Sequence, residues 1–322
     1  MSTTRLIALD WGTTSLRAYR LGEDGAVLDK RSLPWGIMHL PAVDGGSRDA
    51  GFAKAFDAAC GDWLRTTPDA PATPSIAAGM VGSAQGWREA HYVEIPLAVG
   101  DVGKQLTRVD LGAGRILHIV PGLLQRSVLP NVIRGEETQI VGALESYQGD
   151  DEILIGLPGT HSKWVRVQER RVTHFDTFMT GEVFAALSQH TILGRTMEHS
   201  EQTDHAAFER GLRVARSDEG RAGVLSNIFS SRTLGLVGEL GAASQPDYLS
   251  GLLIGHEIAA LQSTRQAAGC TASPRIILIG DDQLCARYQT ALKLYGLEHI
   301  DIAPHATERG LWKIAGQAGL LG

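Results

Sequence analysis

The sequence lacks the features that mark several classes of protein. Its three cysteines, Cys60, Cys270 and Cys285, are widely spaced among 322 residues and form no C-x-x-C pair, so neither a disulfide framework nor a zinc ribbon is predicted. No apolar run approaches the length of a membrane span, and no secretory signal precedes the strand pattern that starts at Arg5. A formal net charge of -6 provides no basic surface for nucleic acid. These features predict a globular, cytoplasmic protein.

Several common nucleotide-binding and catalytic motifs are also missing. The sequence contains no G-x-x-x-x-G-K-[ST] loop and no G-x-S-x-G turn, and Gly-Ala-Gly at 112–114 lacks the third glycine of a dinucleotide-binding turn. His199 and His205 lie near Glu201 and Asp204, but the spacing differs from H-E-x-x-H, so we expect a solvated loop there rather than a metal site. Any nucleotide site must therefore use other turns.

What the sequence does contain is a regular succession of strand and helix patterns. Alternating segments at 5–10, 15–21 and 26–33 are joined by short turns and predict a β-meander. Further strand or helix patterns follow at 75–83, 115–122, 136–146, 152–167, 180–265 and 274–296. Because strands are followed by helices along much of the chain, the sequence predicts an α/β fold.

The hairpin at the start of the chain occurs twice. A shift of 147 residues carries Gly-Thr-Thr-Ser at 12–15 onto Gly-Thr-His-Ser at 159–162, and the strands before and after the turn are repeated as well. Internal repetition of this kind indicates two similar halves. If the halves face each other, they place both turns across one cleft.

Both turns have the composition of a phosphate-binding site. Successive backbone N–H groups in a tight glycine turn bind anions, and threonine and serine hydroxyls add further donors. The copies differ because Asp10 ends the first strand, where Leu157 and Pro158 end the second. A carboxylate beside a phosphate needs a cation between them, so Asp10 indicates Mg²⁺. The alternative is an acid that merely caps the turn.

Seven segments of the chain are distinctive. They are DWGTTSLRAY (10–19), GMVGSAQGW (79–87), IVPGL (119–123), RGEETQIVGAL (134–144), LPGTHSKWV (157–165), FDTFMTGE (175–182) and LIGDDQLCARY (278–288). Together they resemble the 2-dehydro-3-deoxygalactonokinase family, within the superfamily of sugar kinases, heat-shock ATPases and actin. The resemblance covers almost the whole chain.

The resemblance implies an α/β fold of two ribonuclease H-like (actin-like ATPase) domains with a cleft between them and a helical insertion in the second. The first domain would span residues 1–134, with the phosphate-1 hairpin and the sugar-acid site. The second would span 135–322, with the phosphate-2 hairpin and the adenosine site.

The implied activity is transfer of the γ-phosphoryl group of ATP to the C6 hydroxyl of 2-dehydro-3-deoxy-D-galactonate, a step of D-galactonate degradation. ATP and Mg²⁺ are the implied cofactors, with the metal held by Asp10. The residues expected to bind the nucleotide are Gly12, Thr13, Thr14, Ser15, Gly159, Thr160, His161 and Gly280. For Gly280 the alternative is a plain turn between a strand and a helix.

A catalytic base is expected at the start of the helix 136–146, where related sugar kinases place an aspartate. Glu136 is favoured, and Glu137 and Asp176 are alternatives. Both glutamates would also stabilise the helix N-terminus without any catalytic role. The residues expected to bind the sugar acid are Gly82, Ser83, Gln85, Trp87 and Arg134, and the guanidinium of Arg134 suits a carboxylate.

Three other functions stay open for this sequence. The substrate could be the gluconate epimer or another 2-keto-3-deoxy sugar acid. The same clamp on ATP could drive a conformational change, as in actin, or belong to a sensor without catalysis. Neither nucleic acid nor a membrane is expected as a partner, and a homodimer is a candidate assembly.

Overall fold

The computed structural model describes residues 3–64, 73–147, 152–270 and 272–322. The chain divides into two compact units. The first contains Met1–Asp151, Arg166–Phe175 and Ala303–Gly322, and the second contains Glu152–Val165 and Asp176–Ile302. The domain boundary expected between residues 134 and 135 stays a prediction.

The first unit is built on a six-stranded mixed sheet. The elements up to residue 143 are β1 (Leu6–Trp11), β2 (Leu16–Leu21), β3 (Val27–Leu33), α1 (Arg48–Leu64), β4 (Ser75–Ala78), β5 (Tyr92–Glu94), β6 (Leu97–Ala98), β7 (Thr107–Gly112), β8 (Arg115–Ile119), β9 (Gly122–Gln125), β10 (Asn131–Ile133) and α2 (Glu136–Ala143). The sheet order is β3-β2-β1-β4-β8-β7, and β10-β9-β5 form a smaller sheet. Strands β1, β4 and β8 run parallel, and the meander β1-β2-β3 is antiparallel, as the alternating segments predicted.

The core of this unit surrounds β1. Residues 6–9 are fully buried, because a central strand covered on both faces requires a continuous apolar run. Helix α1 contributes Phe52, whose ring stacks on Trp87 with centroids 5.6 Å apart and meets Trp11 edge-on at 5.4 Å. This aromatic cluster fixes the end of β1, immediately after Asp10.

The remaining elements repeat the same plan. They are β11 (Ile153–Leu157), β12 (Ser162–Gln168), β13 (Arg171–Phe178), α3 (Thr180–His190), α4 (His205–Arg216), α5 (Val224–Asn227), α6 (Ser230–Leu236), α7 (Gln245–Ala267), β14 (Arg275–Leu278), α8 (Asp282–Leu294), β15 (Ile300–Ile302) and α9 (Ala306–Gln317). Strands β13-β12-β11-β14-β15 are neighbours in that order.

This order reproduces β3-β2-β1-β4-β8 of the first sheet. In both sheets a meander is followed by two strands parallel to its first strand. The internal repeat predicted from the two turns is confirmed, and so is the pair of ribonuclease H-like folds. Helices α3 to α7 stand between β13 and β14 in the chain, which confirms the helical insertion in the second half.

Helix α9 belongs to the first unit and packs closely on α2. A Cβ atom added at Gly142 would overlap the carbonyl oxygen of Ala306, and one at Gly310 would overlap the carbonyl oxygen of Thr138. The side chain of Gln139 donates a hydrogen bond to the hydroxyl of Thr307 at 3.2 Å. The two helices therefore cross at glycines, and α9 fixes the position of α2.

The structure also corrects two of the sequence-based expectations. The strand expected over 75–83 ends at Ala78, because Gly79 turns the chain with φ 94° and residues 80–82 form a 3-10 turn. His205, expected in a solvated loop, is instead the first residue of α4, and Asp204 caps this helix by accepting the N–H of Ala207 at 2.9 Å. In the described part of the chain, no helix combines the length and the apolar character needed to span a membrane.

Candidate active site

The first Gly-Thr-Thr-Ser turn joins β1 to β2 and is braced from behind. The N–H of Gly12 donates to the carbonyl of Ser15 at 2.9 Å, while the N–H of Ile37 donates to the carbonyl of Gly12 at 3.0 Å. Gly36 lies so close that an added Cβ would overlap the backbone of Thr13. The side chains of Thr13 and Thr14 are exposed. The turn is therefore held rigidly with its hydroxyls free to meet a ligand.

Asp10 lies at the end of β1, beside this turn. Its Oδ2 accepts a hydrogen bond from Arg17 at 3.1 Å, and its side chain is 25% exposed. Burial raises the pKa of Asp10 above its ordinary value, and the ion pair with Arg17 opposes that shift. A partly desolvated carboxylate is an oxygen ligand of the kind that Mg²⁺ takes, and the ion would compete with Arg17 for this group.

Within the described ranges, no three His, Cys, Asp or Glu side chains are grouped so as to hold a metal ion. A Mg²⁺ ion at Asp10 would therefore take most of its ligands from water and from nucleotide oxygens, which is how this ion is commonly bound with phosphates.

Two glycines bring the start of α2 next to Asp10. Gly79 follows β4, and an added Cβ there would lie 2.9 Å from the carbonyl oxygen of Trp11 and 3.7 Å from Oδ1 of Asp10. A Cβ added at Gly135 would lie 3.3 Å from the Cα of Gly79. Both glycines have positive φ, 94° and 109°, a region that other residues adopt only with strain. The turn before α2 therefore meets the carboxyl end of β1 and β4.

The two glutamates of α2 occupy different environments. Glu137 is 1% exposed, and its carboxylate accepts the N–H of Gly135 at 2.7 Å and the hydroxyl of Thr138 at 3.1 Å. Burial, together with the charge of Glu136, raises the pKa of Glu137 to about 7. Glu136 is half-buried, and its Oε2 accepts the N–H of Arg134 at 2.9 Å. Of the two, Glu136 has the solvent access that a base needs to reach a substrate.

Asp176, the third candidate for the base, lies on β13 in the second unit and is half-buried. The first unit thus brings Asp10, Glu136 and Glu137 together around Gly79 and Gly135, whereas Asp176 belongs to a different compact unit. Which carboxylate acts as the base stays a prediction.

Arg134 carries an unsatisfied donor. Its Nη2 donates to the carbonyl of Ala90 at 2.7 Å, and its guanidinium stacks on the ring of Tyr92, 4.3 Å from the centroid. Its Nη1 is buried without any hydrogen-bond partner, and a Cβ added at Gly82 would come within 2.9 Å of it. A buried donor without a partner is costly, and a contact between Arg134 and the sugar acid stays a prediction.

The other residues expected to bind the sugar acid differ in exposure. Ser83 donates its hydroxyl to the carbonyl of Met80 at 2.8 Å, and the side chain of Gln85 is exposed. Trp87 is 7% exposed and packs in the aromatic cluster with Trp11. Its indole therefore has a packing role in the core, and a contact between Trp87 and a substrate stays a prediction.

The second turn, in the second unit, is braced in the same way as the first. An added Cβ at Gly181 would lie 2.5 Å from the carbonyl oxygen of Gly159, and the N–H of Glu182 donates to the carbonyl of Thr160 at 3.0 Å. His161 pairs with the carboxylate of Glu182 at 2.5 Å. Gly36 and Gly181 thus play equivalent parts in the two halves. Sequence reasoning missed both, although each stands three residues after the third strand of its meander.

A cavity of about 560 Å³ opens beside the second turn. Its lining includes Gly159, Thr160, Phe184, Leu253, Leu284 and Tyr288. This volume lies in the range of small-molecule sites, and a largely apolar wall with a few polar groups is typical of them.

Gly280, expected as an adenosine contact, packs against Pro158, whose carbonyl oxygen lies 3.2 Å from an added Cβ. The segment after it contributes to the cavity through α8, with Leu284, Arg287 and Tyr288. A nucleotide contact at Gly280 itself stays a prediction.

Comparison with known proteins adds an independent line of observation. Residues 10–314 match the family model described as 2-keto-3-deoxy-galactonokinase. The 2-dehydro-3-deoxygalactonokinase of Escherichia coli strain K12 is 34% identical over 320 residues, covering 97% of this chain and 98% of that protein. An inferred 2-dehydro-3-deoxygalactonokinase of Rhizobium meliloti is 36% identical over 319 residues, covering 95% and 97% of the two chains. The crystal structure of an inferred enzyme of the same name from Sinorhizobium meliloti is 36% identical, with a TM-score of 0.81 and coverage of 96% and 98%.

Proposed function

Because this chain belongs to the 2-keto-3-deoxy-galactonokinase family, we propose that it transfers the γ-phosphoryl group of ATP to the C6 hydroxyl of 2-dehydro-3-deoxy-D-galactonate. The products are ADP and 2-dehydro-3-deoxy-6-phosphogalactonate. The structural observation that supports the proposal is the guanidinium of Arg134, which Ala90 and Tyr92 hold in place two and three residues before the glutamates of α2. A guanidinium suits the carboxylate of an anionic, polyhydroxylated substrate.

The sugar acid would be held at its carboxylate end by Arg134. The bond from Nη2 to Ala90 and the stacking on Tyr92 fix the plane of the guanidinium before the substrate arrives. A fixed guanidinium binds a carboxylate with less loss of side-chain entropy than a flexible lysine. Gly82 packs directly against this guanidinium, and an added Cβ there would come within 2.9 Å of Nη1.

Glu136 is the proposed general base. As the C6 oxygen attacks the γ-phosphorus, the carboxylate of Glu136 takes the proton of that hydroxyl, and the bond from phosphorus to the ADP oxygen breaks. The N–H of Arg134 donates to Oε2 of Glu136 and so orients the carboxylate. Glu137 keeps the turn in place through its bond from Gly135.

The nucleotide would use a glycine turn and the cavity beside it. In the second unit, the backbone N–H groups at Gly159 and Thr160 would bind phosphate oxygens, and the nucleoside would occupy the adjoining cavity. In the first unit, Gly12, Thr13 and Thr14 offer equivalent donors. Asp10 would hold the Mg²⁺ ion, which neutralises phosphate charge when bound.

The proposal is tested by ADP release with Mg-ATP and a panel of 2-keto-3-deoxy sugar acids. We expect release that depends on the sugar acid, with the galacto epimer giving the highest kcat/KM. A higher kcat/KM for the gluco epimer would move the assignment to that substrate. ATP hydrolysis without any dependence on a sugar acid would instead favour the actin-like alternative, and no ADP release at all would favour a sensor.

The base is tested by comparing three variants. Glu136→Gln should lower kcat by roughly 10²–10⁴-fold, while Glu137→Gln and Asp176→Asn should keep most of the activity. The pH profile of kcat, measured for each variant, identifies the group that loses its titration. A larger loss in Glu137→Gln or Asp176→Asn than in Glu136→Gln would reassign the base. The homodimer stays a prediction that sedimentation equilibrium can check.

A further inference from the structure

A buried carboxylate in the second unit lies behind the Gly159–Thr160 turn. Glu257 stands in the middle of α7 and is 3% exposed. Its Oε1 accepts the indole N–H of Trp164 at 2.7 Å. Its Oε2 accepts the hydroxyl of Tyr288 at 2.7 Å and the hydroxyl of Thr180. Burying a carboxylate is costly unless donors surround it, and here three side chains supply them.

The three donors belong to three different elements. Trp164 lies on β12, Thr180 is the first residue of α3, and Tyr288 lies on α8. Tyr288 also shares a hydrogen bond of 2.9 Å with the hydroxyl of Ser162, the last residue of the Gly-Thr-His-Ser turn. Burial raises the pKa of Glu257, and the hydrogen bonds from Thr180, Trp164 and Tyr288 act against this shift. One carboxylate thus ties the strand after the turn to two helices.

The network reaches the cavity and the turn by short steps. Thr180 and Tyr288 line the cavity together with Gly159 and Thr160. Thr180 is followed directly by Gly181, whose backbone packs against Gly159, with an added Cβ only 2.5 Å from its carbonyl oxygen. Because close packing transmits displacement, a shift of Thr180 moves the backbone that binds the turn.

We propose that Glu257 is a positioning residue that holds the Gly159–Thr160 turn and the wall of the adjoining cavity in the arrangement that binds the nucleotide. The carboxylate acts through Thr180 and Tyr288 and does not touch the nucleotide. The inference rests on the proposed role of Gly159 and Thr160 in binding nucleotide phosphates. It gives the core of the insertion an indirect influence on ATP affinity.

The central test compares Glu257→Gln with the unmodified chain. The amide keeps the size of the side chain but has one acceptor oxygen and no charge, and charge-assisted hydrogen bonds are about twice as strong as neutral ones. We expect the KM for ATP and the Kd for Mg-ATP to rise roughly tenfold. The KM for the sugar acid should stay unchanged. Glu257→Leu, which removes every acceptor, should weaken ATP binding further if it folds.

A matched control separates positioning from loss of stability. Leu261 lies one turn further along α7, is 1% exposed and packs in the hydrophobic core of this unit. Leu261→Ala should lower the unfolding temperature, as large-to-small core substitutions do, and leave the KM for ATP unchanged. If the ATP KM rises as much in Leu261→Ala as in Glu257→Gln, general destabilisation explains the effect and the proposal is overturned.

A double-mutant cycle tests the route through Thr180. Thr180→Val removes the hydroxyl and keeps the branched shape. If the hydroxyl acts through Glu257, Thr180→Val should weaken ATP binding in the unmodified chain but much less in Glu257→Gln, since coupled residues are not additive. Equal effects in both backgrounds would show that the Thr180 hydroxyl acts independently of Glu257 and would contradict the route.

Direct binding keeps this inference distinct from the proposed function. Equilibrium dialysis with Mg-ATP measures affinity without any phosphoryl transfer. A chain that binds ATP but phosphorylates no sugar acid would refute the proposed function. The ratio of the ATP affinities of Glu257→Gln and the unmodified chain would still test the role of Glu257. Equal ATP affinity in Glu257→Gln and the unmodified chain overturns the inference.

Discussion

Replacing Glu137 with glutamine should make the first unit more stable at neutral pH and remove a pH dependence of its stability. The carboxyl is 1% exposed, and its pKa rises from an ordinary value of 4.5 to about 7 in the folded chain. Between these two values the folded chain keeps a proton that the unfolded chain has released. Unfolding therefore releases a proton, and the free energy of unfolding falls as the pH rises.

The size of the effect follows from the width of that interval. One unit of pKa corresponds to about 1.4 kcal/mol, so the full shift amounts to roughly 3 kcal/mol. This loss of folding stability is absent below pH 4.5, where the carboxyl is protonated in both the folded and the unfolded chain, and it is complete above pH 7. Glutamine stays neutral throughout. It can still accept the N–H of Gly135, so the free energy of unfolding of Glu137→Gln should rise by about 2.5 kcal/mol relative to that of the unmodified chain between pH 5 and pH 8.

Urea titration at several pH values from 5 to 8 measures this difference. Five of the six tryptophans belong to the first unit, so tryptophan fluorescence follows its unfolding. Because the charge of Glu136 helps to raise the pKa of Glu137, Glu136→Gln should show part of the same change. If the difference between Glu137→Gln and the unmodified chain is constant across this pH range, the buried carboxyl does not titrate as argued.

Three further predictions concern the turn and the ligands. Asp10→Asn should lower kcat by about 10²–10³-fold and raise the Mg²⁺ concentration needed for half-maximal activity. Asp24→Asn, at an exposed turn, should do neither, and equal kinetics of the two variants would remove Asp10 from the site. Arg134→Lys should raise the KM for the sugar acid roughly tenfold or more and leave the ATP KM unchanged, while Arg126→Lys, at an exposed ion pair, serves as control. An unchanged sugar-acid KM would contradict the role of Arg134. Gly36→Ala should lower the free energy of unfolding by about 1–3 kcal/mol through overpacking against the first turn. Gly100→Ala, where a Cβ meets nothing within 4 Å, should lower it much less. Thermal unfolding of the two variants measures the difference, and equal losses would contradict the bracing role of Gly36.

The strand plan and the two turns were predictable because they rest on local pattern. The meander 5–33 alternates, and the Gly-Thr turns recur at a fixed shift, so sequence alone identified the repeat. The bracing glycines were not found. Gly36 touches a turn more than twenty residues earlier in the chain, and nothing in the neighbouring residues signals that contact.

The environments of the α2 glutamates were also beyond the sequence. Two adjacent acids in a first helical turn have equal propensity to stabilise it. The packing of α2 buries the side chain of Glu137 and leaves that of Glu136 partly exposed. That packing depends on contacts with the distant helix α9 at Gly142 and Gly310. Tertiary packing also explains why the sequence did not reveal the environment of Trp87. This residue was predicted to bind the sugar acid, and its ring stacks on Phe52, a residue of the distant helix α1.

The crossing of α2 and α9 has a consequence for co-translational folding. Translation proceeds from the N-terminal side of a chain, so α2 emerges long before Ala306–Gln317, the helix on which it packs. The second unit, between Glu152 and Ile302, is complete earlier. Its folding can therefore precede that of the first unit, and the helix that carries Glu136 lacks its packing partner α9 until residues 306–317 have been synthesised.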